Sequence, residues 1–133
     1  MKTRLLLVSL AVGAVAASLS ACESTGGGGG STGVDVSNQA YGLSVRLADT
    51  IGRCWFAPGQ SLFPGYVYSP ERNANVSRIL IVKKDDPTGL PAMVVEPTSG
   101  TSATVYGPLA QSANSARIQS DVARWVKGST SCT

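Results

Sequence analysis

Residues 23–33 read ESTGGGGGSTG and hold no large apolar side chain, so they cannot bury enough surface to offset the entropy lost on ordering. This tract divides the chain, and anything that folds must lie wholly to one side of it. Upstream, Lys2 and Arg4 precede an uncharged apolar run from Leu5 to Ala17 that decays into small residues, the three-part layout of an export signal. A membrane-crossing helix needs roughly 20 apolar residues, so removal after export is expected rather than a permanent anchor helix. Downstream, residues 35–133 are of a length that suits one small domain. Residues 22–34 are then a Gly/Ser-rich tether, and a glycine-rich coil of about a dozen residues has a root-mean-square span of roughly 20 Å. A phosphate-binding glycine loop is not indicated, because it needs a preceding strand, a following helix and usually a Lys-Ser/Thr pair.

The formal charge of +3 rests partly on the export segment. Without Lys2 and Arg4, nine Lys and Arg face eight Asp and Glu, and the remaining chain is close to neutral. A nucleic-acid partner would call for a clustered basic face, so none is expected.

The apolar run ends in Leu19-Ser20-Ala21-Cys22. These four residues resemble the bacterial lipobox, in which a branched residue, two small residues and a cysteine are read together. The resemblance implies that residues 1–21 are a lipoprotein signal peptide and that the Cys22 thiol carries diacylglycerol. The chain would be cut before Cys22, and the new amino terminus acylated with a palmitate-type chain. By resemblance to enterobacterial sorting, Glu23 in place of aspartate implies the periplasmic face of the outer membrane. With Cys22 assigned to lipid, Cys54 and Cys132 remain in an oxidising compartment, where pairing is expected. Such a bridge would be worth roughly 4 to 5 kcal/mol in the chain-entropy model. The competing readings are a buried free Cys54 or a metal site, and with no histidine in the chain a zinc site lacks ligands.

Within 35–133, Ala40, Leu43, Leu47, Ile51 and Cys54 recur at spacings of three and four, which predicts a helix over about Ser37 to Phe56. Asp35 or Ser37 is expected to cap it, and Pro58 with Gly59 to close it. Four β-branched or aromatic runs follow, GYVYS, SRILIVKK, PAMVVEP and SATVYG, separated by turn residues. The continuously apolar Ile79–Val82 suits a central strand. A second helix is expected from near Ser112–Asn114, with Ile118, Val122, Trp125 and Val126 inward, and with Arg117, Gln119, Ser120, Asp121 and Arg124 mostly outward. Lys127 and Gly128 should end it. The fold class predicted is α+β: a small two-layer domain of helix, four-stranded antiparallel meander and helix, both helices on one face, closed by one disulfide. An early helix ending in Arg53-Cys54-Trp55 with Pro58 beyond, then a meander and a closing helix, resembles the periplasmic C-terminal domains of TolA and TonB type proteins. That resemblance implies fold and periplasmic company, not an activity.

Catalytic chemistry is not indicated. With no histidine the commonest acid-base group is missing. No Ser-x-x-Lys pair occurs, and the one Gly-x-Ser-x-Gly match, Gly29 to Gly33, falls inside the glycine tract, without the strand-to-helix turn that a nucleophile elbow needs. Lys83 and Lys84 adjoin Asp85 and Asp86 at a predicted turn, where a solvated charge cluster is the simpler account. No enzyme activity, cofactor or metal is therefore expected. Aromatic residues concentrate from Trp55 to Tyr68; Trp55 and Phe63 are expected in the core, while Phe56, Tyr66, Tyr68, Arg72 and Asn73 form the candidate binding surface. The polar stretch 69–77 is expected to be a loop beside it. The function expected is a lipid-anchored, non-catalytic binding or structural role in the cell envelope, with the membrane and an envelope component as partners. The alternative is a small envelope-acting enzyme or enzyme inhibitor.

Overall fold

Residues 32–72 and 76–133 are described by the computed structural model, with side chains from Asn38 onward. The first helix, α1 (Thr32–Trp55), places Leu43, Leu47, Ile51 and Cys54 on one buried face, as their spacing requires. It starts before Ser37, inside the range read as tether. The reason is cooperative: once a helix is nucleated, each added residue gains a backbone bond, and this outweighs the local capping preference of Asp35 or Ser37. Two further buried hydroxyls are satisfied within the helix, Ser44 Oγ donating to the Tyr41 carbonyl at 2.7 Å and Thr50 Oγ1 to that of Arg46 at 2.9 Å. At the other end the Trp55 carbonyl accepts from the backbone N–H of Leu62 at 2.7 Å and from Ser61 Oγ at 3.3 Å. The returning chain thus satisfies a carbonyl that the helix leaves open.

The strands are β1 (Tyr66–Arg72), β2 (Ser77–Lys83), β3 (Met93–Pro97) and β4 (Ala103–Tyr106), and they form one antiparallel sheet in chain order. The register pairs Ile79 with Val95 and Ile81 with Met93, so these four side chains share one face, and all are fully buried. Leu80, Val82 and Val94 alternate onto the other face. The stretch 69–77 is mostly strand and not the loop expected, because β1 runs through Pro70 to Arg72. Proline is tolerated there since β1 lies at the sheet edge and needs no outward N–H.

After β4 the chain turns sharply at Gly107, whose φ is +114°. A Cβ at that position would lie 2.7 Å from the Ala92 carbonyl oxygen, so the turn requires glycine. A 3-10 turn (Pro108–Gln111) follows, and then α2 (Ser115–Trp125), which starts slightly later than its polar N-terminal residues suggested. Ile118, Val122 and Trp125 join the same core as α1 and the inner sheet face, so both helices cover one face. Asp121 was expected outward but is buried, at 4% exposure. It sits between Ile118 and Trp125 at spacings of three and four, and it is drawn inward by the indole N–H of Trp55, which donates to Asp121 Oδ2 at 2.9 Å. The helix ends as expected: Gly128, at φ +100°, donates its N–H to the Trp125 carbonyl at 3.0 Å.

Cys54 and Cys132 form a disulfide across 78 positions, with Cα atoms 5.0 Å apart. It joins the end of α1 to the tail after α2. Trp125 Nε1 also holds that tail, donating to the Ser131 carbonyl at 2.8 Å.

Candidate binding groove

Five aromatic rings run in contact from the core to the surface. Trp125 meets Trp55 with centroids 5.1 Å apart, and Trp55 meets Phe63 edge-on at 5.6 Å. Phe63 lies 5.9 Å from Phe56, which in turn lies 5.3 Å from Tyr68. The inner end is fixed by both indole hydrogen bonds and by Asp121, which is itself paired with Arg124 at 2.5 Å and Arg117 at 3.4 Å. The outer end therefore stands on a rigid base. Trp55 and Phe63 are core residues, whereas Phe56 and Tyr66 are half-buried and Tyr68 is exposed.

Tyr66, Tyr68, Pro70 and Arg72 alternate along β1 on the face turned toward α1. Because β1 is an edge strand, the space between it and α1 opens sideways to solvent. Near the end of α1, Phe56 and Pro58 of the turn that follows it, Tyr66 and Tyr68 of β1, and Lys84 line a groove of about 410 Å³. A second hollow of about 260 Å³ lies beyond Tyr68, walled by Val45, Ala48, Asp49, Pro70 and Arg72. Tyr68 borders both, and its ring reaches across to α1 at Gly52, where a Cβ would collide with the tyrosine hydroxyl. Gly52, which costs α1 helix propensity relative to alanine, is the residue that lets Tyr68 cross.

The polar groups around these hollows are mainly donors. The Tyr66 hydroxyl, Lys84 Nζ and the Arg72 guanidinium have no hydrogen-bond or ion-pair partner among the described residues. Asp49 is engaged by Arg53 at 3.0 Å. On the opposite sheet face Arg78 pairs with Glu71 at 2.6 Å, and this hydrogen bond raises the Arg78 pKa further above its ordinary value. Tyr106 donates to Glu96 at 2.7 Å, and that bond holds its phenol above its usual range.

Of the sequence-based candidates, Phe56, Tyr66 and Tyr68 converge on the larger groove, and Arg72 lies at the far hollow. Asn73 and Cys22 lie outside the described residues. Pro58 and Lys84 also line the groove; the sequence reads them only as a helix stop and a solvated turn charge, because their place at the groove follows from how the chain returns after α1 and after β2. Among the described residues no three Cys, Asp or Glu side chains gather as a metal site, and no helix is long and apolar enough to cross a membrane. No known protein family matches the sequence, and no curated protein or solved structure matches it.

Proposed function

We propose that this chain is a lipid-anchored protein of the bacterial cell envelope that acts by binding another envelope component through the groove between β1 and the turn that follows α1. The observation that carries the binding role is the groove itself: aromatic side chains of β1 and of the turn after α1 converge on an open groove of about 410 Å³, on a base locked by a disulfide and two indole hydrogen bonds. Tyrosine and other aromatics supply large contact area for little rotamer entropy, which makes such a surface suited to recognition. The anchor rests on Leu19-Ser20-Ala21-Cys22 and on the export signal before it, and Glu23 supports the periplasmic face of the outer membrane. The resemblance to TolA and TonB type domains adds periplasmic company to this reading. Anchoring raises the local concentration of the groove near envelope partners, so a modest intrinsic affinity suffices.

The test is site-specific photocrosslinking in intact cells, with the probe placed in turn at Tyr66 and, as a control, at Thr104 on the other sheet face. A discrete adduct from position 66 and none from 104 is expected. Adducts from 104 alone would move the binding surface to the opposite face.

A further inference from the structure

We infer that the occupant of the groove is an extended, proline-containing peptide segment with an acidic residue at its flank, bound in the polyproline II conformation. This rests on the binding role proposed above and names the chemistry of its ligand. Three observations lead to it.

The first is shape. Tyr68 crosses from β1 to α1 and leaves one hollow on each side. A ridge between two hollows matches a ligand that presents apolar units at a regular spacing, as a polyproline II helix does at about 3.1 Å rise per residue. Aromatic-lined grooves are the usual seats for such segments, because the ligand is already extended and loses little entropy on docking.

The second is hydrogen-bond polarity. A proline-containing segment offers carbonyl acceptors and few N–H donors. The larger groove offers the donors of Tyr66 and Lys84 and the far hollow that of Arg72, all unpartnered among the described residues; the Asp49 carboxylate at the far hollow is paired with Arg53 through Oδ2. A sugar would instead present hydroxyl donors alongside its acceptors, and these donors find fewer partners here. The same two cations, one at each hollow, complement an acidic flank on the ligand.

The third is the strand edge. Pro70 in the middle of β1 has no N–H, so an added strand could not continue its ladder along this edge. Docking by side chains is favoured over strand addition.

The test uses fluorescence polarisation with the full chain in detergent micelles and a labelled twelve-residue probe of alternating proline and alanine ending in two glutamates. Controls are the same peptide with alanine for every proline, and a neutral labelled chitooligosaccharide. The proline peptide should bind, at least tenfold tighter than its alanine counterpart. Tyr68→Ala should weaken it tenfold or more with an unchanged melting temperature, since the ring is exposed and outside the core. Lys84→Glu should weaken it several-fold, and less so at high salt. Equal binding of both peptides, or binding indifferent to Tyr68→Ala, overturns the inference. Binding of the oligosaccharide in place of the peptide, or no peptide binding alongside a positive crosslink from position 66, overturns the ligand class and leaves the groove reading standing. Failure of both assays overturns both.

Discussion

At the scale of single residues, Asp121 has the most consequential environment. It is buried, it accepts the indole proton of a tryptophan that is itself fully buried, and it is the counter-ion of two arginines that remain partly in water, 46% and 31% exposed. The two kinds of partner respond differently when it is removed. The arginines turn to solvent at little cost, but the Trp55 N–H has no water to reach, and a buried donor left without a partner costs about 1 to 3 kcal/mol. Asp121→Ala should therefore destabilise by about 2 kcal/mol, whereas Asp121→Asn, which keeps an acceptor for the indole, should cost less than about 1 kcal/mol. Urea denaturation of the two variants measures the difference. Equal losses would mean that the ion pairs, and not the indole bond, explain the burial. Little of this was legible in the sequence, where an aspartate beside two arginines in an amphipathic helix reads as part of the solvated face. The spacing of Asp121 from Ile118 and Trp125 carries the signal, but nothing in the chain says that an indole 66 positions away waits for it.

At the scale of elements, the helix–meander–helix order, the central place of β2 and the pairing of Cys54 with Cys132 all follow from periodicity, turn residues and the count of available thiols. What did not follow were the boundaries: α1 starts earlier, because cooperative extension of the helix outweighs the local preference of Ser37, and β1 runs further, because an edge strand tolerates Pro70. The groove was legible in part, as a concentration of aromatics, but its division into two hollows depends on Gly52 meeting Tyr68 across two elements. That contact yields a prediction. Gly52→Ala gains helix propensity of up to about 1 kcal/mol, and the half-exposed Tyr68 ring can swing away from the new methyl. Stability should hold or rise slightly in thermal melts, while the crosslink from position 66 and binding of the proline peptide weaken. A fall in stability of more than about 1 kcal/mol would show instead that Tyr68 is held too firmly to move. The disulfide yields another. Breaking it frees the unfolded chain across 78 positions, worth up to roughly 4 to 5 kcal/mol. The oxidised domain should not react with a thiol reagent at Cys54 or Cys132 until reduced, and reduction should lower its melting temperature steeply.

At the scale of the whole molecule, the proposed function requires that a nearly neutral domain be held at a membrane. Among the described residues no helix is long and apolar enough to cross one, and the anchor proposed above is the lipid at Cys22. A single acyl chain gives only marginal, reversible binding at about 0.8 kcal/mol per buried methylene, and stable attachment takes at least two. The modification that the lipobox resemblance implies at Cys22 supplies a diacylglycerol on the thiol and a further chain on the amino terminus, enough to hold without help from the folded domain. Cys22→Ala should therefore abolish incorporation of labelled palmitate and leave a precursor that keeps residues 1–21, heavier than the processed wild type on a gel. A variant that matures to wild-type mass and stays with the membrane would remove the anchor from this account. In the proposed reading, sorting is separable from anchoring, because the resemblance to enterobacterial sorting places its signal at the residue after the cysteine. Glu23→Asp should leave palmitate incorporation intact and shift the protein from the denser outer membrane to the inner one in a sucrose gradient. Wild-type protein recovered in the inner membrane at the outset would reject the outer-membrane assignment while keeping the lipid.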